Sequence, residues 1–235
     1  SPRSPGATRL FLQFLAGRAR QAEALYILGD LFEAWIGDDD IDEPYHAEIV
    51  SALRAASAAG LKISIMHGNR DFLLGSGFSA ATGASLLADP HVLSTAEWQF
   101  VLSHGDALCL DDAAYMAFRA QVRNPEWQSA LLAKPLAERR VIAAHMREVS
   151  ESSQRGKDNP YTDLQAAATD DFLREHGYAT FIHGHTHQPA KHDHIVDGIH
   201  VERWVMSDWH EDAGECLVWD GEALHREVLY PENRP

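Results

Sequence analysis

The sequence predicts a single α/β domain that carries an inserted helical segment. Four short apolar segments have the length and composition of buried strands, and segments with a helical spacing of apolar residues lie between them. The chain of 235 residues is long enough to bury one full core. Its longest apolar runs are far shorter than the roughly 18 residues that a membrane-spanning helix needs. These three observations favour one α/β core over two separate domains or a membrane-spanning protein.

The first half of the chain alternates predicted helices and strands. A helix over residues 7–21 comes first, because apolar residues recur there at helical spacing. An Ala-rich helix over about 44–59, which Gly60 would end, joins the first two strands. The four predicted strands cover residues 24–30, 61–69, 100–106 and 179–185. We therefore expect a strand–helix–strand unit at the start of the core.

A long helical stretch over 111–177 separates the third and fourth strands. Pro125, Pro135 and a polar patch over 150–160 interrupt it. We interpret residues 111–160 as a helical lid inserted into the core. The tail alternates apolar and polar residues, which predicts antiparallel strands over 199–205, 215–219 and 224–229.

The composition limits the classes of partner. A net charge of -15 argues against general binding to nucleic acid. Residues 119–157 are an exception, with eight basic residues against four acidic ones, and could meet an anionic ligand or lipid surface. Cys109 and Cys216 have no CxxC spacing, which predicts neither a disulfide framework nor a thiolate zinc site. We expect a protein of the reducing cytosol.

Each of the four predicted strands ends at a glycine that is flanked by Asp, Asn or His. These residue types bind hard or borderline cations through oxygen and imidazole nitrogen. Taken singly, each motif could be only a turn, a loop or a helix entry. Taken together they favour a shared metal site, because the carboxyl ends of strands in open α/β folds face a common crevice. His185 and His187, two apart on a segment we expect to be extended, would point the same way towards a metal.

The motifs Gly-Asp, Gly-Asn-Arg-Asp, Ser-His-Gly-Asp and His-Gly-His-Thr-His occur here in an order that resembles the calcineurin-like metallophosphoesterases. The resemblance implies a β-sandwich flanked by helices and two manganese ions. It implies that Asp30 bridges the two ions, that Asn69, His104 and His185 complete one of them, and that His187 serves the other. Water activated between the ions would then attack phosphorus.

The opening D-x-H motif of that family is absent ahead of Gly29. Residues 89–91 and 208–210 match D-x-H by letter, but they fall outside the motif order, and we interpret them as a loop and a tail segment. Because the chain starts in loop residues where a first strand and this motif would just have ended, we expect a missing N-terminal segment.

Longer strings resemble one subfamily, whose members cleave the diphosphate of an acylated UDP-sugar lipid in lipid A biosynthesis. These strings cover residues 28–39, 67–74, 102–109 and 207–210. The resemblance implies peripheral contact with the cytoplasmic face of an inner membrane and no obligate protein partner. The substrate contacts that it implies are Asn69, Arg70, Asp112, Tyr115, Ser150, Gln154, Lys157 and His185, with Asn69, Arg70 and His185 also catalytic. Gln154 stands where the subfamily more often has Asn.

Arg70 occupies a position where many members of the wider family have a proton-donating His. A phosphate monoester leaves without acid help because its pKa is only about 6. The planar fork of Arg70 would instead neutralise charge on phosphoryl oxygens, which favours a diphosphate as substrate. The alternative is an arginine that only pairs with Asp71.

The predicted lid places apolar residues beside arginines. Such a segment could hold acyl chains and lie on a membrane surface. An ordinary amphipathic helix packed on the core is an equally good interpretation. Two other functions remain open: a metallophosphoesterase that acts on soluble dinucleotides or phosphodiesters, and a non-catalytic scaffold of the same fold.

Overall fold

The computed structural model of the chain describes residues 4–154 and 163–232, and residues 150–154 through their backbone alone. The helices are α1 Pro5–Ala16, α2 Pro44–Ala58, α3 Ser76–Thr82, α4 Ala113–Val122, α5 Pro125–Leu132, α6 Leu136–Gln154 and α7 Ala166–Glu175. The strands are β1 Ala24–Ile27, β2 Lys62–Met66, β3 Ser85–Leu87, β4 His91–Ser94, β5 Gln99–Ser103, β6 Thr180–His183, β7 Lys191–Val196, β8 Ile199–Val205, β9 Gly214–Trp219 and β10 Leu224–Leu229. This order of helices and strands confirms the predicted α/β class.

The described strands form three sheets. The first is parallel with the order β1-β2-β3, and the second has five strands in the order β4-β5-β6-β8-β7. In the second sheet β5, β6 and β8 run parallel, whereas β4 and β7 pair antiparallel to their neighbours. β9 and β10 form a separate antiparallel pair. The predicted tail strands are therefore confirmed, while β3, β4 and β7 have no counterpart among the strands predicted from the sequence.

Alternating side chains of the central strands face two different apolar layers. On β5, Phe100 and Leu102 pack with Met66 of β2 and Ile182 of β6, and this cluster fills the space between the sheets. Val101, between them on β5, faces the other way into a cluster with α7. Because successive side chains of a strand point to opposite faces, the five-stranded sheet has apolar side chains on both faces. The result is a sandwich with helices outside, as the family resemblance implied.

The outer face of the first sheet is covered by the N-terminal helices. Leu15 of α1 and Leu53 of α2 are almost fully buried in the same cluster as Ile65 of β2. Glu43 caps α2 by accepting from two backbone amides at its start, and Pro44 opens the helix. α2 ends two residues before Gly60, whose φ of +102° ends the helix as predicted.

Helices α4–α6 occupy the segment interpreted as a lid. α5 begins at Pro125, and α6 begins directly after Pro135, so the two prolines separate helices as expected. None of the helices in the described ranges is both long and apolar enough to cross a bilayer.

Candidate metal centre

Three side chains from distant parts of the chain converge at one edge of the sandwich. Asp30 follows β1, His104 follows β5 and His185 follows β6. One ligand atom from each lies within 4.8 Å of the other two. The residue pattern alone predicts convergence at the strand ends of an open α/β fold, whereas the family resemblance implies a sandwich. Two sheets supply the strand ends: β1 belongs to the three-stranded sheet, and β5 and β6 belong to the five-stranded one.

Asn69 lies between the two histidines. Its Oδ1 is 3.0 Å from Nε2 of His104 and 3.0 Å from Nδ1 of His185. The Nδ1 of His104 donates to the carbonyl of Leu28 at 2.8 Å, so in the neutral ring Nε2 carries a lone pair that faces the amide oxygen. Acceptor atoms about 3.0 Å apart are the arrangement expected of neighbouring ligands on one small octahedral cation. The donor set therefore fits a divalent metal ion.

Protonation of the two histidines differs because of their charged neighbours. Burial alone would lower the pKa of His104, but the carboxylates of Asp30 and Asp106 raise it overall. Burial and the nearby His104 lower the pKa of His185 to about 4. Although burial alone would raise the pKa of Asp30, the adjacent His104 and Arg70 lower it. Near neutral pH the site therefore holds a carboxylate and a neutral His185, both in metal-binding form.

Asp71 holds the two loops of the first sheet in place. Its buried carboxylate accepts from the backbone amides of Gly68 at 2.7 Å and Leu31 at 2.8 Å, and it also accepts from the amide of Asp30. Gly68 lies so close to the Asp30 carboxylate that a β-carbon there would overlap it. Asp71 was missing from the predicted site residues, although the Gly-Asn-Arg-Asp motif contains it.

The His185–His187 segment is turned rather than extended, which corrects the sequence analysis. His185 has a φ of +64° and His187 a φ of +53°, both in the left-handed region. The Thr186 amide donates to the Gly184 carbonyl at 2.8 Å and closes a tight turn around His185. The simple two-residue alternation of a strand therefore does not apply to this pair.

His187 lines the same cavity of about 450 Å³ as the three converging side chains. Its Nδ1 lies 3.4 Å from the Asp208 carboxylate, which in turn lies 3.2 Å from the ring of His210. The motif order had placed residues 208–210 outside the site, so sequence reasoning missed this neighbourhood. Two signals pointed to it: the match to D-x-H by letter, and the resemblance of residues 207–210 to the subfamily. The other match, at residues 89–91, also approaches the site, because Asp89 accepts from the His104 amide at 3.2 Å.

Arg70 lies in the wall between this cavity and a second one. Its guanidinium is 3.6 Å from Asp30 and 3.7 Å from Glu33, and Arg147 pairs with the same Glu33. The two ion pairs of Arg70 contradict the alternative of an arginine that only pairs with Asp71. Arg70 and Glu33 line both cavities.

The second cavity has a volume of about 380 Å³ and lies under helices α4–α6. Its apolar lining includes Trp35, Phe72, Phe118, Leu131, Ile142 and Met146. Asn69, Asp112 and Tyr115 line it beside Arg70, so this cavity joins predicted substrate residues to an apolar chamber. Asp112 also caps α4 by accepting from the Tyr115 amide at 2.9 Å.

A buried polar cluster supports the floor of the site. The Tyr115 hydroxyl donates to the fully buried Asp106 at 2.8 Å, and the Tyr115 ring lies 5.0 Å from the His185 ring. Arg119 lies 3.0 Å from the same carboxylate. Arg123 donates to the carbonyls of residues 67 and 68, next to Asn69.

The structure therefore brings most of the predicted site residues together. Six of them lie together at the first cavity or in its wall: Asp30, Asn69, Arg70, His104, His185 and His187. Two more, Asp112 and Tyr115, join them from α4. The side chains of Ser150 and Gln154 and all of Lys157 lie outside what the structure describes. Their assignment as substrate contacts stays a prediction.

Comparisons with known proteins agree with this geometry. The model of the calcineurin-like phosphoesterase family matches residues 5–189. Proteins named UDP-2,3-diacylglucosamine hydrolase are similar over nearly the whole chain. The one from Aromatoleum aromaticum is 48% identical over 92% of this chain and 88% of its own length.

Two further relatives of the same name show similar coverage. The one from Chromobacterium violaceum is 50% identical over 92% of this chain and 90% of its own length. The one from Escherichia coli strain SMS-3-5 is 44% identical over 94% of this chain and 92% of its own length. By the family match and by these relatives, the chain belongs to the calcineurin-like phosphoesterases.

Proposed function

We propose that this protein hydrolyses the diphosphate of UDP-2,3-diacylglucosamine, releasing UMP and 2,3-diacylglucosamine 1-phosphate, in lipid A biosynthesis. The observation that carries the proposal is the junction of a metal-binding cluster with an apolar chamber at Arg70. A substrate whose diphosphate joins a nucleotide to a diacylated sugar needs a metal site for the diphosphate and an apolar chamber for the acyl chains. The names of relatives 44–50% identical over about nine-tenths of the chain support the same substrate.

Two manganese ions are the proposed cofactors. Asp30, Asn69, His104 and His185 would hold one, and Asp30 and His187 would contribute to the other. Bound there, the cations would activate water and stabilise charge on the phosphoryl oxygens. Two imidazoles, an amide oxygen and a carboxylate form a donor set that suits manganese.

Arg70 is proposed to bind the diphosphate. Its side chain is about one-third exposed in the wall shared by the two cavities, so the guanidinium is accessible to a ligand from either side. A guanidinium matches two phosphoryl oxygens with parallel hydrogen bonds. Glu33 and Asp30 keep the guanidinium in place through their charges.

The cavity under α4–α6 is proposed to receive the acyl chains. Its walls are mainly aromatic and aliphatic, and it opens beside Asn69 and Arg70. Burying an acyl chain there would contribute about 0.8 kcal/mol for each methylene group removed from water. This interpretation favours an acylated substrate over the soluble dinucleotides considered above.

Contact with the inner membrane is proposed to involve the outer surface of α5 and α6. Leu132 is 43% exposed and Val141 69%. Such side chains can insert among lipid headgroups. We expect co-sedimentation with vesicles of anionic phospholipid, and we expect Val141→Asp to weaken it. Equal sedimentation of the variant and the wild type would contradict this surface assignment.

The function is tested by incubating the protein with UDP-2,3-diacylglucosamine and measuring UMP, with manganese and with chelator. We expect release of UMP that depends on manganese. Asp30→Asn should abolish it, because the substitution removes the central carboxylate while asparagine tolerates the φ of +55° at this position. Asp42→Asn, at an exposed position, is the matched control and should be fully active. Turnover of soluble diesters without turnover of the lipid would overturn the proposed substrate.

A further inference from the structure

We propose that Asp163, Arg203 and His183 form a chain of positioning residues that holds the turned backbone of His185 in its metal-binding geometry. The inference rests on the proposed function, since it assigns a supporting role around the same site. None of the three side chains belongs to the converging cluster itself. The chain runs from the surface next to α7, through the interior of the five-stranded sheet, to the loop after β6.

Arg203 is the centre of this chain. It lies on β8 with only 5% of its surface exposed. Its Nη1 and Nη2 donate to the two carboxylate oxygens of Asp163 at 2.9 and 3.1 Å, which is a bidentate pair. Nη1 also lies 3.1 Å from Nε2 of His183, and Nε lies 3.3 Å from Nε2 of His194. A buried guanidinium with this many partners is held in one orientation.

The guanidinium determines which nitrogen of His183 carries the proton. Arginine can only donate, so Nε2 of His183 must accept and Nδ1 must carry the hydrogen. Nδ1 lies 2.9 Å from the carbonyl of Gly184 and donates to it. Asp163 and Arg203 thereby direct one specific N–H group at one specific backbone carbonyl.

That carbonyl is the anchor of the turn around His185. It also accepts from the Thr186 amide at 2.8 Å, and this second hydrogen bond closes the turn. His185 has a φ of +64°, a conformation that is strained for a non-glycine residue. Such a conformation persists only where surrounding contacts hold it, and the His183 N–H group is one such contact.

The ring of His183 has little room to take another position. A β-carbon at Gly105 would lie 2.9 Å from Nδ1 of His183, so the backbone of the neighbouring loop packs directly against the ring. The ring of Phe181 lies 4.9 Å away on the same strand. The carbonyl of His183 accepts from the Met206 amide at 2.7 Å, which fixes the end of β6 against β8. We therefore expect loss of the Arg203 contact to change the hydrogen bonds of the His183 ring while β6 stays in place.

The test uses Asp163→Asn and Arg203→Lys, which keep the side-chain size or the charge but lose the bidentate pair. The matched control is Asp197→Asn. It breaks another bidentate pair, that of Arg174 with Asp197 at 2.6 and 3.0 Å, on an exposed surface. Asparagine also tolerates the φ of +53° at position 197. Titration with manganese and thermal unfolding of the metal-free protein are measured on all three variants and on the wild type.

We expect manganese affinity to fall roughly 10- to 100-fold in Asp163→Asn and Arg203→Lys and to be unchanged in Asp197→Asn. At saturating manganese kcat should fall, while KM for the lipid substrate should not change, because none of these residues touches the substrate. In the metal-free protein the Thr186 amide should exchange its hydrogen faster with solvent in the first two variants.

Manganese affinity and Thr186 exchange equal to those of Asp197→Asn would overturn the inference. A loss of affinity that merely follows a lower melting temperature, with Thr186 exchange unchanged, would also overturn it, because the residues would then be structural only. A wild-type protein that binds no manganese would instead contradict the proposed function. The exchange of the Thr186 amide would still decide the positioning role.

Discussion

Three candidate metal-binding residues have backbone dihedral angles in the left-handed region. Asp30 has a φ of +55°, His185 of +64° and His187 of +53°. This conformation is uncommon for residues with a β-carbon and costs free energy. Finding it at three positions around one cavity indicates that the loops are shaped to aim these side chains inward. The proposed metal centre needs side chains that are directed into the cavity in this way.

Arg70→Ala should lower kcat roughly 10²- to 10³-fold, a loss comparable to removal of one preorganised donor from an active site. Manganese occupancy should stay close to that of the wild type, because the Asn69 and histidine contacts do not involve the guanidinium. Steady-state kinetics and metal analysis of the purified variant check this. Arg9→Ala, on the exposed face of α1, is the control. Equal loss of metal and activity would contradict a role in binding phosphate.

Asp106→Asn should lower the free energy of unfolding by about 2 kcal/mol at pH 7. Burial alone would raise the pKa of this carboxyl, but His104, Arg119 and Arg123 lower it to about 2. A carboxyl whose pKa is lower in the folded than in the unfolded protein stabilises the fold above pH 4. That contribution is lost as the pH falls towards 2.

Urea unfolding of the metal-free wild type and variant at pH 7 and pH 3 measures this contribution. We expect the difference between the two proteins to be about half as large at pH 3. If the difference in free energy of unfolding between wild type and variant instead grew as the pH fell, the pKa of Asp106 would be raised by folding rather than lowered.

At the scale of the element, α6 presents two different faces. Ile142 and Met146 line the apolar chamber, whereas Val141 is 69% exposed on the other side. Arg139, only 3% exposed, anchors this helix by donating to the carbonyl of Ile36 and pairing with Asp39. The helix thus packs on the core, as one of the two interpretations from the sequence expects, and it also covers a cavity. Acyl-chain binding and membrane contact stay predictions.

Ile142→Asn should raise KM for UDP-2,3-diacylglucosamine about tenfold, because it places an unpaired amide in the proposed acyl chamber at a cost of about 1–3 kcal/mol. Hydrolysis of a UDP-sugar without acyl chains should not change. Val141→Asn, at the neighbouring exposed position, is the control. Both variants are assayed with substrate solubilised in detergent. The chamber assignment fails if both variants raise KM equally.

At the scale of the whole molecule, the site lies where the edges of two sheets meet. The loops after β1 and β2 come from one sheet, and the loops after β5 and β6 come from the other. Metal binding would therefore bridge the two layers of the sandwich. A ligand that binds only the folded state adds stability that grows with the logarithm of its concentration above Kd.

Manganese at about 100 times its Kd should add about 2.7 kcal/mol to the free energy of unfolding. For a chain of this size that corresponds to a rise in Tm of roughly 5–10 °C. Thermal unfolding with manganese and with chelator measures the shift. The Asp30→Asn variant should show little or none of it. A shift of equal size in that variant would place the stabilising ion elsewhere.

The sequence by itself determined the α/β class, the four strands that lead to the site and the residue types that line it. Gly60 and Pro135 interrupt helices in the structure as predicted, because these residues act on the backbone locally. The glycine-flanked Asp30, Asn69, His104 and His185 could be found from residue type and order alone. Local chemistry of this kind can be recognised without knowing which segments are neighbours in space.

Only the tertiary structure decided which distant residues meet. It divided the strands between two sheets, brought Asp208 to His187, and joined Asp163 to His183 through Arg203. It also turned the backbone at His185, where a regular pattern predicted an extended segment. Contacts of this kind depend on packing and register between segments far apart in the chain, and neither spacing nor composition encodes them locally.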